Sequence, residues 1–377
     1  MNIILTVGIL LILYGIFAKR KYSVAVGMFF VLLIMGFQEG IPGDFMAYKF
    51  SFNHGGVDTA EDGIKETEYA YIWLTQTLSK FMNFNVFVFL TSLVQCFAIG
   101  LMIRDYADKR YWSFGVILFF FSFNLMLIQM KAMRQGYAVD CLFLAYWLLS
   151  KRRFVLSLLM AAIAYGFHNS TIVALLFFIA LYVLMFFKRN EKMGKSENMN
   201  TVLVNKNAFS FATLVAIGLV AFTVLKFTVI DMYVKTFVET LDFFQYDGYF
   251  EEMEDRGLAW WIILYETVSV FVVSLYYRSE KNFFNKYLAL ISIISFFAYV
   301  GFFGMGSLFR VSMFFDIFAV VVYPNVAGML RNSYGKHMAT YYIIFNMVFL
   351  MYLSVQHMLS MSIESGFGYG MFRFSFM

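Results

Sequence analysis

Residues 131–170 decide the fold, and they read KAMRQGYAVDCLFLAYWLLSKRRFVLSLLMAAIAYGFHNS. Two apolar runs, 132–150 and 154–168, flank the basic triplet Lys151–Arg153. About 20 predominantly apolar residues are enough for a helix to cross a bilayer, and a short connection makes consecutive helices antiparallel neighbours. The stretch therefore predicts two antiparallel transmembrane helices joined by a basic turn.

Long apolar runs of the same kind extend over the whole chain of 377 residues. Hydrophobic residues make up 61% of the chain and charged residues 14%, whereas soluble domains average about 25% charged residues. This composition excludes a soluble enzyme, a nucleic-acid-binding protein and a disordered chain. We predict an all-α polytopic membrane protein, with residues 1–377 forming a single transmembrane domain of about twelve transmembrane helices, at 2–18, 22–38, 83–103, 111–128, 132–150, 154–168, 170–187, 208–226, 257–277, 287–304, 308–330 and 338–358.

The distribution of positive charge predicts the orientation of the chain. Most of the 29 Lys and Arg residues fall in alternate loops, including those around 19–21, 104–110, 151–153 and 188–206. Cytoplasmic loops of membrane proteins are enriched in Lys and Arg. We therefore predict that these loops lie inside and that both termini lie outside, on the periplasmic side.

Two long loops are predicted on the outer side, and they carry most of the acidic residues. The loop 39–82 contains Asp44 and Glu68, and its second part, 66–82, is predicted to form an interfacial helix with one apolar face. That face carries Tyr71, Leu74, Leu78 and Phe81. The loop 227–256 is both acidic and aromatic. Long loops of this kind in a compact protein are usually functional or disordered, and their aromatic content favours order.

Ionisable residues at the ends of spans are the functional candidates, because charge within a membrane is costly. Lys131, Arg134 and Gln135 open one span, His168 closes the next, and Arg310 opens a later one. Arg134 and His168 are nearly equidistant from the basic turn, so we expect them to face each other about 25 Å from it. Lys131 and Arg134 are three residues apart and would share one face of a continuous helix.

Each candidate also has a purely structural interpretation. An arginine at the end of a span can reach headgroup phosphates, and a lone histidine near the interface is more often a packing residue. The convergence of several cations on the outer side favours a site for an anionic lipid headgroup, since guanidinium binds a diphosphate through two N–H groups. The deeper acids Asp140, Glu266 and Asp316 are interpreted as partners of buried polar groups.

No metal site, no cofactor and no nucleotide-binding loop is predicted. The sequence lacks the motifs G-x-x-x-x-G-K-[ST], G-x-G-x-x-G and H-E-x-x-H, and its four histidines are scattered. Cys96 and Cys141 both lie within apolar runs and are interpreted as small core residues.

Four short motifs and a late arginine stand out along the chain. Arg134–Ala138 (RQGYA) has the pattern R-Q-x-x-A and opens one span, and Phe167–Ser170 (FHNS) has the pattern F-H-x-S and closes the next. Gly43–Tyr48 (GDFMAY) contains D-x-x-x-Y. Glu66–Leu74 (ETEYAYIWL) is acidic and aromatic, and of its two carboxylates Glu68 is favoured over Glu66 because it directly precedes the aromatic run. The late arginine, Arg310, is followed by aromatic residues. In their order along the chain, these elements resemble the EpsG family of bacterial exopolysaccharide polymerases, which is similar to the Wzy-type O-antigen and capsule polymerases.

The resemblance implies a glycosyltransferase that joins undecaprenyl-diphosphate-linked oligosaccharides at the outer face of the bacterial inner membrane. A chain-length regulator and a flippase of the same pathway are the implied partners, besides the bilayer itself. The candidate catalytic residues are then His168, Arg134, Asp44 and Glu68, and the candidate substrate-binding residues are Lys131, Gln135, Arg310, Tyr48 and Tyr69. The arginines would stabilise the leaving diphosphate, and His168, Asp44 or Glu68 would be the base.

Two other functions stay open at the level of sequence. One is a different membrane transferase, either an O-acyltransferase or a metal-dependent enzyme with Glu61 and Asp62 as ligands. The other is a transporter of lipid-linked oligosaccharides, which would need a path lined by charges through both leaflets.

Overall fold

The computed structural model describes residues 10, 14, 22–40, 45–55, 68–122, 125–126, 128–187, 203–204, 207–226, 260–302, 311–364 and 373–374. The predicted first span, 2–18, lies almost entirely outside these residues, as do the acidic loop 227–256 and the candidates Asp44, Glu61, Asp62 and Arg310. The described part is almost entirely helical. Its helices are α1 (Ser23–Gly36), α2 (Phe45–Asn53), α3 (Tyr69–Leu78), α4 (Phe84–Tyr106), α5 (Trp112–Phe121), α6 (Ile128–Lys131), α7 (Met133–Ser150), α8 (Phe154–Phe167), α9 (Thr171–Phe187), α10 (Ala208–Leu225), α11 (Trp260–Ser279), α12 (Phe283–Phe302), α13 (Met313–Asp316), α14 (Ala319–Tyr334) and α15 (Lys336–Glu364).

The helices have the length and composition of a multi-pass membrane protein. Within the described ranges, α4, α10 and α12 are long and apolar enough to cross a bilayer, and α1, α8 and α9 are shorter apolar helices. Large apolar side chains are exposed along α8, α9 and α10, among them Val155, Leu176 and Leu214. An apolar surface of this extent is stable only against lipid. The predicted all-α membrane class is confirmed, while the count of twelve spans and the location of both termini stay predictions.

The central helix is α14, in which every residue from Val320 to Leu330 is buried. Pro324 lies inside this helix, so the carbonyl of Val320 loses the N–H partner it would have four residues later. The Asn325 amide donates to the Tyr106 carbonyl at 2.9 Å and ties α14 to the end of α4. A short antiparallel pair, β1 (Gln38–Gly40) with β2 (Arg373–Phe374), joins the segment after α1 to the C-terminal residues.

Two predicted spans are interrupted. In the span predicted over 111–128, α5 ends at Phe121, because Ser122 takes an extended conformation (ψ 117°). The span predicted over 308–330 is divided into α13 and α14 by a turn at Ile317 and Phe318. Apolar periodicity does not detect such breaks, since the residues on both sides are equally apolar.

The antiparallel hairpin predicted from residues 131–170 is present. The Ser157 hydroxyl of α8 donates to the Ala145 carbonyl of α7 at 2.9 Å, which fixes the register of the two helices. At the basic turn, the Lys151 ammonium pairs with the Asp105 carboxylate at 2.7 Å and anchors the hairpin to α4. The hairpin is therefore held at its basic end, and its other end carries Arg134 and His168.

The loop 39–82 contains a helix where one was predicted. The predicted segment 66–82 is helical over Tyr69–Leu78, with Tyr71 and Thr75 buried. This helix, α3, packs against α8 near Gly166, whose ideal Cβ would lie 3.0 Å from the Ala70 Cβ. Only glycine permits this close approach, and the contact places the start of α3 beside the end of α8.

Candidate active site

A break in the backbone places Arg134 in the first turn of α7. Ala132 has φ −105° and ψ 68°, outside the helical region, and separates α6 from α7. The two helices stay close, since an ideal Cβ on Gly136 would lie 3.1 Å from the Gln129 Cα. The prediction that Lys131 and Arg134 share one face of a continuous helix is wrong, because Lys131 ends α6 on the other side of this break.

His168 ends α8 at the same level of the hairpin. Its N–H donates to the Ala164 carbonyl at 3.3 Å, and its backbone is extended (φ −158°, ψ 126°). The ring Nδ1 accepts the Ser170 backbone N–H at 3.2 Å and lies 2.8 Å from the Ser170 hydroxyl. Because a backbone N–H can only donate, Nδ1 carries a lone pair, and in the neutral ring the proton sits on Nε2.

Glu68 joins these two residues. One carboxylate oxygen, Oε2, forms a short ion pair with Arg134 Nη1, and the other, Oε1, lies 3.9 Å from His168 Nε2. The side chains of Glu68 and Arg134 are only 4% and 13% exposed, so little water screens the pair. The Nε2 of His168 therefore lies close to the same buried carboxylate as Arg134.

Two tyrosines cover the guanidinium. The Arg134 Cζ lies 5.6 Å from the centre of the Tyr48 ring and 6.0 Å from that of Tyr71, within the range of cation–π attraction. The rings meet edge to face at 5.8 Å. Burial raises the pKa of the Tyr71 phenol well above its usual value. Among the described residues the Tyr71 hydroxyl has no hydrogen-bond partner, so a buried donor is held beside the ion pair.

The structure brings four of the predicted site residues together: Arg134, His168, Glu68 and Tyr48. Of the other predicted residues in the described ranges, Gln135 is buried in α7, Lys131 is partly buried at the end of α6, and Tyr69 is 70% exposed.

Tyr71 belongs to the cluster but was not among the predicted site residues. The sequence signal was its position on the predicted buried face of 66–82, opposite to exposed Tyr69.

The cluster is a buried, charged site. It offers a guanidinium, an imidazole N–H, two phenols and one carboxylate, brought together from four segments of the chain. Within the residues that the structure describes, no group of three or more His, Cys, Asp or Glu side chains could hold a metal ion.

The fold and this cluster define a polytopic α-helical membrane protein with a buried Arg–Glu–His site at the ends of a helical hairpin and a loop helix. The model of the EpsG family matches residues 5–367, nearly the whole chain, and the protein belongs to that family. Family membership makes it a membrane protein of polysaccharide biosynthesis. No curated protein and no solved structure shows significant similarity to the chain.

Proposed function

We propose that the protein is a polysaccharide polymerase that joins oligosaccharides carried on undecaprenyl diphosphate at the outer face of the bacterial inner membrane. The observation that carries the proposal is the buried contact of Arg134 and His168 with one carboxylate, Glu68, at the predicted outer ends of the spans. The family supports the broader role in polysaccharide biosynthesis.

Arg134 is the proposed ligand of the donor's diphosphate. Cleavage of the bond between the sugar and the diphosphate leaves negative charge on the phosphate oxygens, and a guanidinium can bind two of them at once. Its low exposure strengthens this interaction, because fixed charges act more strongly where water is excluded. The Tyr48 and Tyr71 rings keep the guanidinium in place while it exchanges partners.

Glu68 is the proposed base. In the structure its carboxylate is paired with Arg134, which weakens it as a proton acceptor. When the diphosphate takes over the guanidinium, Glu68 becomes a stronger base. It then removes the proton of the acceptor hydroxyl, the hydroxyl oxygen bonds to the anomeric carbon, and the bond from that carbon to the diphosphate breaks. The proton ends on Glu68 and the charge on the departing lipid diphosphate.

His168 acts as a hydrogen-bond donor in this proposal. Its Nδ1 is occupied by the Ser170 N–H, so Nε2 presents a proton to Glu68 or to a phosphate oxygen. In this tautomer Nε2 carries the proton, so it donates a hydrogen bond and does not act as the base. A flippase that supplies the lipid-linked unit and a chain-length regulator are the proposed partners in the same pathway.

The function is tested by reconstitution. Purified protein in liposomes receives a defined undecaprenyl-diphosphate oligosaccharide and no nucleotide sugar, and the products are separated by size. We expect a ladder of polymers from the wild type and none from Arg134→Ala. The matched control is Arg104→Ala, in the last turn of α4, whose side chain is 54% exposed; its ladder should be unchanged. Absence of a ladder from the folded wild-type protein, with its donor present, would reject the polymerase.

A further inference from the structure

A second cavity, separate from the Arg134 cluster, contains two carboxylates. It has a volume of about 90 Å³ between α5 and α11 to α15, and Glu266 and Asp316 both line it. The two carboxylates interact electrostatically across the space. Among the described residues, its lining includes neither Lys, Arg nor His. These side chains give a diphosphate no counter-charge and favour a ligand that exchanges hydrogen bonds.

The polar groups of the cavity are arranged for a ligand. Asp316 is fixed, since it accepts hydrogen bonds from the Ser295 hydroxyl and, at 3.1 Å, from the Ser312 hydroxyl. The Ser292 hydroxyl also lines the cavity, is 3% exposed and has no hydrogen-bond partner among the described residues. Glu266 faces the same space and is 7% exposed. A buried hydroxyl is normally satisfied, so Ser292 marks a position where a ligand hydroxyl fits.

The remaining walls are aromatic and aliphatic. Tyr265 stacks on Phe349 with ring centres 3.6 Å apart and planes 5° apart, and its hydroxyl donates to Asn346 at 2.9 Å. Phe296 and Tyr299 line the cavity as well. A sugar ring has hydroxyl groups around its edge and apolar C–H groups on its faces. The carboxylates can accept from the hydroxyl groups, and the flat apolar side chains can pack on the faces. At about 30 Å³ per water molecule the cavity holds about three, so it admits one edge of a sugar ring.

The cavity lies towards the predicted outer side of the membrane. Glu266 is within the first two turns of α11, Asp316 ends α13, and Tyr299 is in the last turn of α12. By the charge-based orientation, these are the outer ends of the three segments. A saccharide on that side can therefore reach it without crossing the bilayer.

We propose that this cavity is a carbohydrate subsite that binds one uncharged sugar ring through the carboxylates of Glu266 and Asp316. The inference rests on the proposed function for the source of the sugar, which is the saccharide being polymerised. A bound cation is the competing occupant of an acidic cavity. The aromatic walls favour the sugar, because a cation would need further oxygen ligands in their place.

The probe is the free oligosaccharide, released by mild acid hydrolysis from the lipid-linked donor of the producing cells. It is chosen because it lacks the diphosphate that Arg134 would bind. Its affinity for the purified protein in nanodiscs is measured by saturation-transfer difference NMR. We expect a loss of about tenfold or more in Glu266→Gln/Asp316→Asn, the size expected for a lost charge-assisted hydrogen bond. Ser292→Ala, which breaks no hydrogen bond within the described protein, should weaken binding and leave the melting temperature unchanged.

The matched control is Asp140→Asn, a buried carboxylate that accepts from Gln95 at 2.7 Å outside this cavity. It should bind the oligosaccharide as the wild type does. Binding that is absent in the wild type, or equal in the wild type and both cavity variants, overturns the subsite. The subsite is also overturned if no sugar binds and Na⁺ raises the melting temperature of the wild type but not that of the double variant Glu266→Gln/Asp316→Asn. Sugar binding that depends on the two acids in a protein that forms no polymer rejects the polymerase and keeps the subsite.

Discussion

Replacing Glu68 by Gln removes one negative charge from the buried cluster and changes little in shape. The amide still offers a carbonyl oxygen to Arg134, but the guanidinium, 13% exposed, loses its counter-charge. Breaking a buried ion pair costs about 3–5 kcal/mol, and the retained hydrogen bond lowers our expectation to about 2 kcal/mol of unfolding free energy. Loss of a general base lowers a rate by about 10²–10⁴-fold, so polymer formation should fall by that factor.

Both quantities are measured on the same purified protein, the first as the thermal midpoint and the second as the initial rate of chain growth. Glu280→Gln is the matched control. Glu280 is equally buried and accepts from the Tyr276 hydroxyl at 2.6 Å, so it should lose stability without losing the polymerisation rate of the folded fraction. In Glu68→Gln/Arg134→Gln no charge is left unpaired, and stability should recover while activity does not. Normal polymer from Glu68→Gln would refute the role of the carboxylate.

Three further changes test the rest of the cluster. Arg134→Lys should lose most of the polymerisation rate, since an ammonium cannot bind two phosphate oxygens in a fork. A normal rate would reject the binding of the diphosphate by Arg134 and favour a contact of this side chain with lipid headgroups. His168→Gln should keep a measurable rate, because an amide N–H can replace the Nε2 proton, whereas His168→Leu should not; equal inactivity of the two would point to proton transfer by the ring. Gly166→Val should push α3 and Glu68 away from the hairpin and reduce the rate, and Gly218→Val, which has open space around its Cβ position, is the control in polymer assays. Equal rates in the two valine variants would show that the contact with Ala70 does not position Glu68.

The hairpin could be predicted from sequence because its signals are local. Two apolar runs and a basic triplet define it, and counting residues from the turn predicts that Arg134 and His168 lie at one level, where both reach Glu68. Their roles in catalysis stay predictions. The depth of the two residues follows from the constant rise of a helix, which needs no tertiary information.

The parts that sequence could not provide depend on tertiary contacts. Glu68 lies 66 residues before Arg134, so no periodicity links them, and the sequence favours Glu68 over Glu66 only because Glu68 directly precedes the aromatic run. The contact of Gly166 with Ala70 places α3 so that Tyr71 is buried and Tyr69 exposed. The sequence around Ala132 favours a helix, so it does not predict the break there. The break depends on packing, since Gly136 and Gln129 are in close contact across it.

The central claim is that the Arg134–Glu68–His168 cluster transfers saccharide from a lipid diphosphate. The most direct measurement counts the undecaprenyl diphosphate released for each glycosidic bond formed in liposomes, with EDTA present and nucleotide sugars absent. We predict one lipid diphosphate per bond in the wild type and neither product in Arg134→Ala. Bond formation that requires a nucleotide sugar or added Mg²⁺ or Mn²⁺, or that continues in Arg134→Ala, would contradict the account.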